Sequence, residues 1–344
     1  IQDSILPIVD KQSGQLTHND LTISLSDEKA LTMEQGLADT LDSSSAVHSW
    51  GAFYTKSTTL YNEEGGSADV SIVGAEDDAR MTEYFTFRTR VGHDPIPFEE
   101  DSVILTEKTA LNLELSVGDT FYVEAADGSR VPLVLTGITE NYMFTRLYLS
   151  NAQLQALLGG TPEWNTVYGL TGCTTEAEYN ALRTKLLGCN YVSSVSFTED
   201  TTSMFGSLIG SLNYVVVLII VCAAALAAVV LYNLISVNLA ERKKELATIK
   251  VLGFYDKEVY RYIFREIELL SLIGSGVGLL LGVPLHRFII LTVEMDQLMF
   301  IRTIAPSSYL LAVALTMLFT FVVCFAMRRH VRHISMVESM KAPE

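Results

Sequence analysis

The chain has 344 residues, of which 49% are apolar, and its mean hydropathy is positive (+0.29) although its formal net charge is −16. Those two values together exclude a single ordinary globular domain. Up to Ser207 there are 30 acidic and 11 basic residues, and beyond it 10 acidic and 13 basic; an acidic soluble part precedes a slightly basic apolar one, and the acidic part would repel nucleic-acid phosphates.

The sequence starts at Ile1 without a Met, a signal peptide or an apolar leader, so it reads as the C-terminal portion of a longer protein. The acidic part mixes alternating and helical patterns, which predicts an α+β domain over residues 1–207. Leu21 to Leu25 alternates as a strand. Leu31 to Leu41 suits one helix entered at Thr32, with Gln35 completing a capping box. Trp50 to Leu60, Val70 to Gly74, Val103 to Thr106 and Val117 to Glu124 read as extended, and Asp127-Gly128 is a hairpin turn leading into Val131 to Ile138. Further on, Ser150 with Gln153 opens a helix that stops at Gly159-Gly160. Thr166 to Leu170 is a strand, Thr175 with Glu178 caps a helix ending before Gly188, and Tyr191 to Phe197 is a strand.

Catalytic chemistry is sparse here. His18, His48 and His93 are scattered without metal-ligand spacing, no Ser sits in a nucleophile elbow, and Glu99, Glu100 and Asp101 read as a solvated face. Cys173 and Cys189 bracket a helix of about twelve residues, whose ends lie about 18 Å apart against the about 7 Å a disulfide tolerates. Two buried thiols are expected.

From residue 208 the chain reads as an all-α, three-span bundle. Leu212 to Ile235 is uncharged for 24 residues, about 36 Å of helix against a hydrocarbon core of about 30 Å. The second span is expected at about 267–290. In it Gly274, Gly278 and Gly282 recur every fourth residue and form a helix-packing seam. The third span is expected at about 309–327. Seven Lys or Arg lie between Glu241 and Glu266, and further Arg residues follow Met327, so both regions are placed in the cytoplasm and the acidic domain outside. Membrane lipid is thus a partner of the apolar part.

The loop between the first two spans, about 238–266, opens with NLAERKKELATIKVLG. On a helix Leu239, Leu246 and Ile249 share one side, with Glu241, Lys244, Glu245 and Thr248 opposite; Arg242 falls on the apolar side. Gly253 suits a left-handed stop, and Asp256 suits the cap of a second helix. The order Glu241, Arg242, Glu245, Leu246, Lys250, Leu252, Gly253, continued through Glu266 and Glu268 to the Gly-rich span, resembles the FtsX-like permease family, the membrane subunits of MacB-type ABC transporters. Val117-Gly118-Asp119-Thr120 and the ending HISMVESMK from His333 also resemble that family.

The resemblance implies a β-rich insertion at about 50–144 within the α+β base and at least one span upstream of Ile1. It implies a multi-pass plasma (inner) membrane protein, paired as a homodimer or with a second FtsX-like unit, whose coupling helix docks on a separate ABC ATPase subunit. Glu241, Arg242 and Glu245 would contact that ATPase, together with Lys250; Leu246 and Ile249 would be apolar anchors and Gly253 the break. No P-loop string occurs in the chain, so no enzyme activity or cofactor is expected of it, and ATP and Mg would be bound by the ATPase. Movement would pass to the outer domain to export or extract peptides, lipids, lipoproteins or drugs, and the domain would meet an extracytoplasmic protein or peptide ligand. Two alternatives stay open: a regulatory FtsX-like subunit acting on a cell-wall hydrolase or sensor kinase, and a membrane-anchored receptor without an ATPase.

Overall fold

The computed structural model describes residues 2–33, 36–125, 128–242, 245, 248–249, 252–295, 297–301 and 303–332. They form two compact units. One is a sheet domain of Ser4–Ile209 together with Val293–Ile301; the other is helical and holds the described residues of 210–292 and 303–332.

The sheet domain begins with α1 (Gln2–Lys11), which runs into a π-helical turn, Gln12–Leu16. Ten strands follow: β1 (Leu21–Leu25), β2 (Val47–Tyr61), β3 (Ser67–Ala75), β4 (Val103–Thr106), β5 (Thr120–Glu124), β6 (Arg130–Val134), β7 (Gly137–Thr139), β8 (Arg146–Leu149), β9 (Thr166–Thr171) and β10 (Val192–Phe197). Eight lie in the order β10-β1-β9-β2-β3-β8-β4-β7, and the β5–β6 hairpin branches from the far end of β2. β3–β8 and β4–β7 are parallel pairs, while the other named pairs are antiparallel. β2 is the long member: its first half pairs with β9 and its second with β3 and β5, so the sheet runs unbroken through it.

Short helices cover the sheet: α2 (Lys29–Thr32), α3 (Leu37–Asp42), α4 (Asp78–Tyr84), α5 (Glu107–Asn112), α6 (Asn151–Leu158) and α7 (Glu176–Leu187). The single helix expected over 31–41 is two helices with Gly36 between them; Gln35 lies outside the described residues, as does Asp127 of the expected hairpin turn. The run Val131 to Ile138 is likewise two strands. At the later helices the capping signals hold: the Ser150 hydroxyl accepts from the Gln153 amide, Gly159 takes a left-handed φ of 67°, and Thr175 and Glu178 form a complete capping box.

The alternating burial of β1 puts Leu21, Ile23 and Leu25 against α3 and α7, while Leu60, Phe121, Val123 and Leu147 fill a second core under the hairpin. Between them Phe53 meets Tyr84, Phe85 and Tyr168 edge-on at 4.7–6.2 Å. Each such ring contributes about 1.5–3 kcal/mol by leaving water. Cys173 and Cys189 are free thiols; Cys173 is buried as expected, but Cys189 is only half-buried at the end of α7.

Three long helices follow, α8 (Thr198–Glu241), α9 (Asp256–Val293) and α10 (Pro306–Arg332), and the helical unit takes α8 from Gly210 on, α9 up to Thr292 and α10. Their apolar parts, Tyr214–Glu241, Phe264–Val293 and Pro306–Met327, are each long enough to span a membrane. Leu218, Leu280 and Phe325 are exposed by 62%, 76% and 74%, and such faces suit lipid rather than water. The chain is a membrane protein. The charge boundary at Ser207 falls inside α8, which starts nine residues earlier on Thr198-Glu199-Asp200, acidic residues suited to a helix N-terminus.

Candidate functional site

The loop after α8 is the candidate built from the strongest sequence signal. Glu241 ends α8 and is exposed; Glu245 is also exposed and helical, and Thr248 and Ile249 are helical. Leu246 and Lys250 lie outside the described residues. The helix stops at Gly253 with φ +95°, the Leu252 amide bonding the Thr248 carbonyl at 3.0 Å and the Phe254 amide reaching back to the Ile249 carbonyl at 3.4 Å. A bond of that second span around a left-handed glycine is a Schellman stop. α9 then starts at Asp256, so Asp256 is its first residue and not its cap as expected. The Glu258 carboxylate instead accepts from the Tyr255 amide at 2.9 Å, closing the new N-terminus from inside the helix.

Arg242, the residue that spoiled the apolar stripe, forks onto Glu266 of α9 through two bonds of 2.9 and 3.2 Å. Both side chains are more than a third exposed, so the pair adds at most about 1 kcal/mol, but its two-point geometry orients the loop. The described members of the stripe, Leu239 and Ile249, turn inward. Leu239 joins Ile235, Val259, Ile267, Cys324 and Met327 in a cluster at the base of the bundle, with Ile249 packed against it. Among the described residues the loop leaves exposed Glu241, Glu245 and Thr248, together with an apolar tip of Leu252, Phe254 and Tyr255, exposed by 72%, 52% and 78%.

Among the described residues the glycines of α9 do not meet another helix closely. A Cβ at Gly274, Gly278 or Gly282 would find nothing within 4 Å, and all three line a groove of about 670 Å³ with Ala223, Ala227 and Ala312.

Residues 217–336 match the family model of the FtsX-like permease C-terminal domain. That stretch, 120 of the 344 residues, is similar to the permease domain of that family. No curated protein sequence matches the chain. Among solved structures, the periplasmic region of MacB from Actinobacillus actinomycetemcomitans is similar at 13% identity and a TM-score of 0.35, over 56% of this chain and 94% of that one. The extracellular domain of the noncanonic ABC-type transporter YknZ from Gram-positive bacteria follows at 14% and 0.34, over 52% and 99%. A domain of a permease protein from Porphyromonas gingivalis gives 12% and 0.30, over 49% and 83%. Likenesses this low carry no argument about the present chain.

Two features escape the sequence reading. In the matched stretch the apolar tip is visible as Leu252-Gly253-Phe254-Tyr255 among charges, while the helical stripe points to Leu246 and Ile249 instead. In the sheet domain, a polar cluster surrounds residues 140–144. Buried Glu140 accepts from Arg88 Nε at 2.7 Å and from the Tyr142 hydroxyl, with His93 Nδ1 at 3.3 Å. Burial and the bond to Glu140 push the Tyr142 hydroxyl well above its ordinary range, keeping it a donor. Arg90 forks onto Glu107 at 2.8 and 2.9 Å, and that bond raises the guanidinium further. Nothing in the one-dimensional spacing of these residues signals that they meet. Among the described residues no group of three metal-ligating side chains converges.

Proposed function

We propose that this chain is the permease subunit of an ABC transporter of the FtsX/MacB type, in which a separate ATPase, holding ATP and Mg²⁺, docks on residues 238–266. The observation that supports it most is the loop of the FtsX-like domain: a helix, a glycine stop and a new helix, pinned to the bundle by Arg242–Glu266 and Ile249. It presents two carboxylates, Glu241 and Glu245, beside an apolar tip. An apolar anchor ringed by charge is how a helix end docks into a partner's groove. In this reading Glu241 and Glu245 contact the ATPase, with Leu252, Phe254 and Tyr255 as apolar anchors. Arg242 and Ile249 hold the loop on the bundle instead of facing the partner.

ATP-driven movement of the loop is passed along α8 and α9 to the sheet domain, outside the plasma membrane, which acts on peptides, lipids, lipoproteins or drugs. A second FtsX-like unit, in another copy or elsewhere in a longer chain, completes the complex. Purification in mild detergent from native cells, with mass spectrometry of the associated proteins, tests the reading. A P-loop ATPase should accompany the natural protein and be lost from Glu241→Lys or Phe254→Asp. Its absence from every preparation would favour a membrane-anchored receptor.

A further inference from the structure

Val293–Ile301, the last residue of α9 and the first eight of its connection to α10, belong to the sheet domain and not to the helical unit. Leu298 forms an antiparallel bridge with Met143, the Phe144 amide donates to the Gln297 carbonyl at 2.9 Å, and the Met299 amide donates to the Tyr142 carbonyl at 2.9 Å. Lys108 Nζ lies 3.0 Å from Glu294 Oε2, whose side chain is 2% exposed, and Glu294 Oε1 accepts from the Phe300 amide at 2.9 Å. Met299, Phe300 and Ile301 are buried. On its other side the same 140–144 segment is held by Gln12, whose Oε1 accepts from the Tyr142 and Met143 amides at 2.9 and 3.2 Å and whose Nε2 donates to Asn141 at 2.8 Å. The N-terminal π turn and the α9–α10 connection therefore grip one short piece of the domain from two sides.

We propose that Val293–Ile301 is a permanent strap on the sheet domain, with Lys108 and Glu294 as its positioning pair, so that the ends of α9 and α10 follow that domain throughout the working cycle. Undocking would separate the buried Lys108–Glu294 ion pair and wet three apolar side chains in one step. Those groups would all have to be re-buried on return. Such a joint transmits force and does not open as a gate.

Hydrogen–deuterium exchange of the whole protein in lipid nanodiscs, alone and with nucleotide, tests this through peptides covering 140–145 and 293–301. Both should be protected alike in every state. Glu294→Gln should speed exchange at least tenfold in both peptides while leaving β1 and β9 unchanged, and Lys108→Met, which removes the cation but keeps the Phe300 bond to Glu294, should speed it as well. Free exchange of the strap in the natural protein, protection confined to one nucleotide state, or no effect of Glu294→Gln would each overturn the proposal; natural protection in Lys108→Met would overturn the pairing. Only the nucleotide arm rests on the transporter reading. Exchange of the natural protein alone reads the strap even if that reading fails.

Discussion

Gly253 is where the coupling role can be tested with the least disturbance elsewhere. Its φ of +95° is a conformation that side chains other than glycine rarely adopt, and a Cβ there would meet nothing within 4 Å. The cost of a substitution is therefore purely backbone, about 1–2 kcal/mol. The chain could escape that strain only by giving up the Phe254-to-Ile249 bond and the Leu252-to-Thr248 bond, worth about 0.5–1.5 kcal/mol each. It will take the cheaper route, so the ceiling is near 2 kcal/mol in either case. If the tip must be held in one direction for the ATPase to seat, binding weakens by up to about thirtyfold. Titration of the ATPase onto nanodisc-embedded protein should show Gly253→Asn close to the natural protein, because asparagine tolerates the left-handed region, then Gly253→Ala, then Gly253→Val as the weakest. Thermal unfolding of the sheet domain should be unchanged in all three. Natural affinity in Gly253→Val, or Gly253→Asn as damaged as Gly253→Val, would refute the reasoning.

Three further outcomes follow from the same geometry. Arg242→Glu should impair stimulation of the ATPase while shifting unfolding stability by less than about 1 kcal/mol, and adding Glu266→Arg should restore it; stimulation assays on the two variants decide. Phe53→Ala, removing a fully buried ring from its three aromatic neighbours, should cost the sheet domain about 3–5 kcal/mol in urea unfolding followed by tryptophan fluorescence. Burial raises the Asp20 carboxyl above its ordinary 3.8 despite two bonds from Thr171. The folded chain thus binds that proton more tightly than the unfolded chain does. The charged form costs stability above the folded pKa, and the cost fades as pH falls toward the unfolded value. Asp20→Asn should therefore compare more favourably with the natural protein at pH 7 than at pH 4 in denaturant titrations, and the opposite trend would contradict the burial argument.

What the sequence discloses, and what it hides, follow from the range of the interactions involved. Capping at Ser150 and Thr175, the stop at Gly253 and the strand Leu21–Leu25 are local, so neighbouring residues suffice to show them. The spans are legible for the same reason. Arg242 looked misplaced on an apolar face because its partner, Glu266, lies 24 residues away on another helix. The strap is hidden more deeply: Lys108 and Glu294 are 186 residues apart, and Leu298 to Ile301 is too short an apolar run to declare where it packs. The start of α8 was masked by composition, since the acidic residues that favour a helix N-terminus there look like the end of a soluble domain. The glycine repeat in α9 signalled a helix seam, and the groove beside it is open within this chain.

The central claim is that ATP hydrolysis elsewhere moves the sheet domain. Pulsed electron–electron distance measurements on the purified complex in nanodiscs test it directly, with one nitroxide at exposed Glu64 in the β2–β3 turn and another at exposed Phe325, near the end of α10 away from the strap. The distance distribution should differ between nucleotide-free and ATP-trapped complexes and stay fixed when the ATPase is inactivated or Phe254 is changed to Asp. One unchanging distribution in all these states would contradict that claim.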